Sequence, residues 1–402
     1  MGLFMNENIN QNKLKIEDIN ELRKIAKEIR KDIIEQVYAA KSGHPGGSLS
    51  IADIMAVLYF NEMNIDEKNP KWEERDRFVL SKGHCAPALY AALCEKGFFE
   101  REDLKSFRKL GSFLQGHPDM KKTPGVDSSS GSLGQGFSVA NGMAISAKLD
   151  NKSYRVYCLL GDGEIEEGQV WEAAMASNKY KLDNLCVIVD NNNLQIDGTI
   201  KEVMNPYPID KKFKSFGFNV INIDGNDIEE ILKAFEDARN VKDRPTCIVA
   251  KTIKGKGVSF MENKAEWHGR APSEEEYKVA LEELVWKKIS FITMCAYYTS
   301  KAYVLRLSEG IREELRKQKS KVQISVLQPG LVDTNFNNVA NVKFNLNSLT
   351  SEYVARYTVD KFLKGKFAIV PGFSIKLARF FAKITPNNIG TKFVYYMQER
   401  KR

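Results

Sequence analysis

The chain has 402 residues, 43% of them hydrophobic and 28% charged, the balance of a soluble globular protein with room for two or three domains. No apolar run approaches the ~18 residues of a membrane span. The opening MGLFMNENINQNKLK lacks the apolar block and cleavage site of a secretory leader, and Asn6 stands where myristoylation wants Ser or Thr, so a cytoplasmic protein is expected.

The net charge of +8 sums unlike parts. Residues 1–284 carry 39 Lys/Arg against 45 Asp/Glu, a net of −6, whereas residues 285–402 carry 21 against 7, a net of +14. Such asymmetry flags a basic tail or a composite chain. No nucleic-acid motif accompanies it, so nucleic acid is not an expected partner. None of the six cysteines (Cys85, Cys94, Cys158, Cys186, Cys247, Cys295) forms a CxxC pair, and they read as reduced, mostly buried thiols.

In chain order, Leu22, Ile25, Ala26, Ile29, Ile33 and Val37 recur at helical spacing and predict a helix over 17–41, stopped by Gly43. Further helices are expected over 50–62 and 86–96. Gly and Pro thicken between Gly111 and Gly136, which predicts a long loop and then a helix to about Ala147. Strands at 155–160, 185–190, 218–223 and 246–251 alternate with helical stretches at 166–180 and 227–240. That alternation predicts an α/β fold, a doubly wound and mostly parallel sheet with helices on both faces. After the Glu-rich helix 274–284 the composition changes abruptly with no Pro/Gly/Ser linker. The expected domains are 1–284 and 285–402.

Open parallel sheets bind ligands at the carboxyl ends of their strands. GDGEIEEG (161–168) follows the strand 155–160, and DNNNL (190–194) follows the strand 185–189. Asp162 and Asn192 are thus one strand–helix–strand unit apart, and neighbouring parallel strands would bring them to one edge. A carboxylate with a carboxamide oxygen suits Mg²⁺ that arrives on a diphosphate. GSLGQG (131–136), opening a helix, offers main-chain N–H groups to an anion. A lone GDG is ordinarily a tight turn; its partner after the next strand changes that reading. All four histidines (His44, His84, His117, His268) sit beside Gly in polar, turn-like segments, a pattern that suits polyol and proton-transfer chemistry.

The ordered strings SGHPGG, LSKGHCAPALY, GHPD, TPGVDSSSGSLGQG, GDGEIEEGQVWEA, DNNNLQIDG and KTIKGKG…EWHG resemble the diphosphate-binding half of transketolases over residues 15–284, most closely the type split into two polypeptides. SGHPGG and EWHGRAP favour transketolase over the related 1-deoxyxylulose-5-phosphate synthase. The resemblance implies thiamine diphosphate and Mg²⁺ as cofactors, with Asp162, Asn192 and the main-chain oxygen of Leu194 on the metal. It implies cofactor contacts from His84, Gly131, Ser132, Leu133, Asp162, Gly163, Asn192 and His268. It implies substrate and catalytic roles for His44, His117 and His268, and a carboxylate at Glu167 that communicates across the dimer interface. Ser132 departs from the proline common in the family. The implied reaction moves a two-carbon ketol unit from a ketose phosphate to an aldose phosphate, as in pentose phosphate metabolism, with the thiazolium carbon as nucleophile.

The pyrimidine-binding domain that such an enzyme needs is not recognisable in 285–402, so activity is expected to require a partner subunit that carries it. Residues 285–402 resemble instead the C-terminal part of a short-chain dehydrogenase/reductase, a partial Rossmann-like α/β fragment. Tyr297 and Lys301 in AYYTSK lead into a helical stretch (301–317) and a strand-like VQISVLQPGLVDT (322–334). The Gly-rich dinucleotide turn has no counterpart upstream, and Leu284 occupies the usual place of the catalytic serine. A fusion remnant without reductase activity is expected. The rivals are an NAD(P)-dependent short-chain oxidoreductase and a non-catalytic thiamine-diphosphate-binding protein. The tail 364–402 reads as uncovered core surface before it reads as a membrane-surface helix.

Overall fold

The structure, a computed structural model, describes residues 15–286, 290–329, 332–333, 348–373 and 375–377, with the side chains of 285–300 outside that description. The chain divides into two compact units, Met1–Lys288 and Ile289–Arg402.

The first unit is built on a five-stranded sheet in which every pairing is parallel: β1 (Arg77–Leu80), β2 (Val156–Gly161), β3 (Leu185–Asn191), β4 (Asn219–Asp224) and β5 (Thr246–Lys251), in the spatial order β1-β2-β3-β5-β4. Successive side chains of a strand point to opposite faces, and here both faces are covered. Tyr157, Leu159, Cys186, Ile188, Ile248 and Ala250 join one apolar core. Val156, Cys158, Leu160, Leu185, Val187, Val189, Cys247 and Val249 join another. Burial on both faces explains why these strands read as unbroken apolar runs.

The first core is closed by helices that include α1 (Ile19–Ala40), α2 (Pro45–Leu49), α3 (Ala52–Val57) and α4 (Ala86–Lys96). The second is closed by α5 (Gln135–Leu149), α6 (Gly168–Lys179) and, beyond the short α7 (Ile200–Val203), α8 (Ile209–Ser215). Helix α9 (Ile228–Asn240) returns to the first core with α10 (Glu274–Trp286). The predicted helices and four predicted strands fall within a few residues of these bounds. Helix α1 stops two residues before the predicted Gly43, at Lys41 in the left-handed region (φ 52°). Strand β1 is additional, since its four residues RFVL are too short to show a period. The five described cysteines, Cys85, Cys94, Cys158, Cys186 and Cys247, are buried and free; the Cys295 side chain lies outside the described residues.

The second unit contains α11 (Ser290–Lys317), α12 (Ser351–Leu363) and two pairs of two-residue parallel strands, β6 (Val326–Leu327) with β9 (Ala368–Ile369) and β7 (Val332–Asp333) with β8 (Leu349–Thr350). The continuous strand predicted over 322–334 is reduced to these fragments; Pro329, without an N–H to give a ladder, falls between them. The Tyr297 side chain and most of 364–402 lie outside the described residues. Among the described residues no helix is long and apolar enough to cross a membrane.

Candidate functional site

Strands β2 and β3 pair through Gly161 and Asp190, so the segments that leave them emerge side by side. Asp162 follows at once, its N–H donating to the Asp190 carbonyl (3.2 Å). Its carboxylate is 2% exposed and accepts from the N–H of Gly163 (3.0 Å) and of Asn193 (2.5 Å). The turn 192–194 therefore folds back over Asp162, with Asn193 in the left-handed region (φ 67°). Burial, then the nearby Asp190 charge, pushes the Asp162 carboxyl up to about 7. Asn192 donates its Nδ2 to Asp190 Oδ2 (2.8 Å), which turns its Oδ1 the other way, toward the Leu194 N–H (3.2 Å). The Leu194 carbonyl accepts from Lys254 Nζ (3.0 Å). Asp162, Asn192 and Leu194 are thus brought together.

Asp190 anchors this corner. It is fully buried and accepts from Lys82 Nζ (2.6 Å), Ser50 Oγ (2.7 Å), Asn192 Nδ2 and Thr252 Oγ1. Against the burial that would raise it, Lys82 and these hydrogen bonds hold the carboxyl below its usual range. Lys82 also donates to the Gly47 carbonyl (2.9 Å), tying β1 to α2.

Three of the four histidines form a triangle. Ring centroids lie 5.1 Å apart for His44 and His84, 5.4 Å for His44 and His268, and 5.2 Å for His84 and His268. Close backbone approach makes this possible: a Cβ on Gly46 would fall 2.8 Å from the Trp267 carbonyl oxygen, and one on Gly47 would fall 2.8 Å from Cys85 Sγ. Lys254 Nζ is 3.0 Å from His268 Nδ1, which joins the triangle to Leu194. All these imidazoles are held neutral. Burial and then Arg108 lower His44 to about 4; burial and then Lys254 lower His268 to about 3; burial and then Lys82 lower His84. Burial lowers Lys254 itself to about 8. His117 is more exposed and stands against Gly131, where a Cβ would fall 3.2 Å from its ring; burial and Arg108 lower it too.

Gly131, Ser132 and Leu133 lie on the approach to α5, with Ser132 and Leu133 exposed. Not all of the N–H groups expected from this loop are open to an anion. Glu164, buried behind it, accepts from Gly134 N–H (2.9 Å), Gly161 N–H (3.0 Å) and Ser81 Oγ (2.5 Å), and so staples the loop to β1 and β2. Glu167 is exposed at the start of α6.

Sequence reading assigned no role to Lys82, Arg108, Glu164, Asp190 or Lys254. All are charged residues that composition places on a wet surface. The available signal was position: Lys82 sits within LSKGH, Lys254 within KTIKGKG, and Asp190 closes an apolar strand. Among the described residues no three His, Cys, Asp or Glu side chains form a metal cluster. The donor set at Asp162 is therefore one carboxylate with neutral oxygens, which suits a hard cation that brings anionic oxygens with it.

Comparison with known proteins accords with this geometry. The family described as transketolase, thiamine diphosphate binding domain, matches residues 21–323. The chain is 46% identical over 264 residues to the 6-deoxy-6-sulfo-D-fructose transketolase subunit SqwG of Clostridium sp. (strain MSTE9), covering 66% of this chain and 96% of that protein. It is 45% identical over 255 residues to an apulose-4-phosphate transketolase subunit of Phocaeicola vulgatus, covering 63% of this chain and 90% of that protein. Human transketolase is 47% identical over 252 residues, which is 62% of this chain but 40% of the human protein. The transketolase structure from Campylobacter jejuni superposes with a TM-score of 0.63 at 38% identity, covering 66% of this chain and 43% of that one. A parallel sheet that presents an Asp–Gly turn and an Asn-rich turn side by side, matched over three quarters of the chain by one family, places this protein in the transketolase family of transferases, through its thiamine diphosphate binding domain.

Proposed function

We propose that the chain is the thiamine-diphosphate- and Mg²⁺-binding subunit of a split transketolase, which transfers a two-carbon ketol unit from a ketose phosphate to an aldose phosphate. A partner subunit would supply the pyrimidine-binding domain. The observation that carries this reading is the convergence of Asp162, Asn192 and the Leu194 carbonyl at one edge of the sheet, within reach of the histidine triangle. Support for the split arrangement comes from two relatives that are themselves named as subunits, covered over 96% and 90% of their length.

The residues fit the cofactor. Asp162 is a buried carboxyl with a raised affinity for a proton, and a metal ion would take that proton's place. Mg²⁺ would be held by Asp162, Asn192 and Leu194. The diphosphate would be met by Gly163, His84, His268 and Lys254, the last a cation already aimed at this corner. Gly131, Ser132 and Leu133 would flank the rest of the coenzyme. When bound, thiamine diphosphate supplies a nucleophilic carbon and an electron sink. His44, His117 and His268 would orient the sugar's hydroxyl and carbonyl oxygens and handle its protons. Glu167, exposed and next to the coenzyme loop, would face the partner.

Residues 1–284 would suffice for this part of the site, with 285–402 a fusion remnant. Calorimetry tests the reading: thiamine diphosphate should bind in the presence of Mg²⁺, more tightly with the pyrimidine-binding partner, and ketol transfer should need both polypeptides. Binding that ignores Mg²⁺, or turnover with NAD(P)H by the isolated chain, would overturn it.

A further inference from the structure

We propose that Arg108 is a positioning residue that fixes the His44 imidazole in the tautomer carrying its proton on Nε2, so that His44 meets a substrate oxygen as a neutral hydrogen-bond donor. The contact is between an Arg108 terminal nitrogen and His44 Nδ1, at 3.5 Å. A guanidinium has only N–H donors. Facing it, Nδ1 must offer its lone pair, and a neutral ring then keeps its one proton on Nε2. An imidazolium would oppose two N–H groups.

Arg108 is built in for this purpose rather than draped over the ring. Its other terminal nitrogen donates to Ser42 Oγ at 2.6 Å, and its main-chain N–H donates to the Leu114 carbonyl at 2.9 Å. The guanidinium lies against Gly116, where a Cβ would come within 3.0 Å of Nε, and that Nε is buried without a hydrogen-bond partner. Arg108 holds φ at 60°, a left-handed conformation that an arginine adopts at a cost in strain. On the far side of the imidazole, Nε2 faces Gly269, where a Cβ would come within 3.7 Å. The residue beside the donor nitrogen thus has no side chain to cover it.

The other groups around His44 favour the same state. His84 and His268 pack edge-on against its ring, and His117 and Lys254 act on it through their charge; every charged form among them is cationic. Lys254 makes the equivalent contact to Nδ1 of His268, at 3.0 Å. A neutral Nε2–H can polarise a carbonyl without first taking up a proton, so the donor stays competent across the neutral range. The inference rests on the transketolase reading only for the identity of that oxygen as a sugar's.

The chain has four histidines, so long-range ¹H–¹⁵N correlation spectra of the full-length protein resolve each imidazole, with His44→Asn giving the assignment. From pH 5.5 to 8.5 the His44 signals should be those of a neutral ring protonated at Nε2. In Arg108→Met they should move toward a tautomer mixture, with a titration midpoint about one unit higher, while His84 and His268 keep their signals as a check on the fold. Arg108→Lys should retain the low midpoint in part. With the partner subunit present, Arg108→Met should lower kcat more than it changes thiamine diphosphate affinity. A wild-type His44 protonated at Nδ1, or an imidazolium at pH 6, overturns the proposal even if Arg108→Met fails to fold. So does a folded Arg108→Met protein with unchanged His44 signals. Failure of the wild-type chain to bind thiamine diphosphate would instead sink the transketolase reading and leave the tautomer result standing.

Discussion

The two units spend their apolar and charged residues differently. In the first, the strands are sealed on both faces and ion pairs are buried: Lys82–Asp190 has side chains 2% and 0% exposed, and Arg30–Asp53 has 9% on each side. In the second, Val354, Ile369 and Val370 are the buried hydrophobics among the described residues. Tyr303, Leu307, Val359, Leu363 and Phe373 face solvent, and ion pairs such as Arg356–Glu352 are exposed. Helices form in both units, because local sequence suffices for a helix. A parallel sheet needs strands from distant parts of the chain and covering helices on both faces. Among the described residues of the second unit the strands are two residues long.

The largest effect should come from splitting the buried pair. Lys82→Met leaves the Asp190 carboxylate buried without its main counter-charge, a loss on the order of 3–5 kcal/mol. It also loosens the hydrogen bond that orients Asn192. Urea denaturation should show the early unfolding; a variant within about 1 kcal/mol of wild type would mean the pair is no more than a surface bridge. Next comes Ile188→Ala, in the middle of β3 and 1% exposed, expected to cost roughly 2–5 kcal/mol. An unchanged urea midpoint there would contradict the two-sided sheet.

How much of this was legible in the sequence follows from the same division. The order of strands and helices in 15–286 could be read because burial on both faces writes itself as apolar runs, and Asp162 with Asn192 could be read because one strand–helix–strand unit separates them. The supports of the site could not. Asp190, Lys82 and Lys254 are buried only because other buried charges and hydroxyls answer them, and that pairing runs between residues up to 140 positions apart. Glu164 looked like one more acid in GDGEIEEG, yet it alone reaches back to hold Gly134. In 285–402 the reading relied on a short motif, and among the described residues the strand expected at 322–334 pairs only at Val326–Leu327 and Val332–Asp333.

A subtler effect concerns pH within the first unit. Asp32 on α1 is buried, accepts from Arg101 (2.5 Å) through one oxygen and leaves the other without a partner. Burial, only partly offset by Arg101, pushes its carboxyl up to about 8. The folded chain therefore binds a proton there that the unfolded chain, with an ordinary carboxyl, has released. The associated stability is complete below the unfolded value near about 4 and drains away as pH climbs through about 8. Thermal melts from pH 5 to 9 should show that decline, and Asp32→Asn, which mimics the protonated form, should flatten it. Equal slopes for the two proteins would show that Asp32 is ionised throughout.

The smallest effect should come from the second unit, where it tests the comparison most directly. Glu352→Ala removes one partner of an ion pair whose side chains are 74% and 82% exposed on α12. Solvent and salt already screen such a pair, and two long side chains lose freedom to form it, so a change below about 0.5 kcal/mol is expected. Leu363→Ala, at a position 77% exposed, removes apolar surface that is already wet and should cost as little. Both are to be measured by chemical denaturation beside Lys82→Met and Ile188→Ala. If either matched the core substitutions, the exposed face of α12 would have to be covered in solution, and the contrast between a sealed first unit and an open second one would fail.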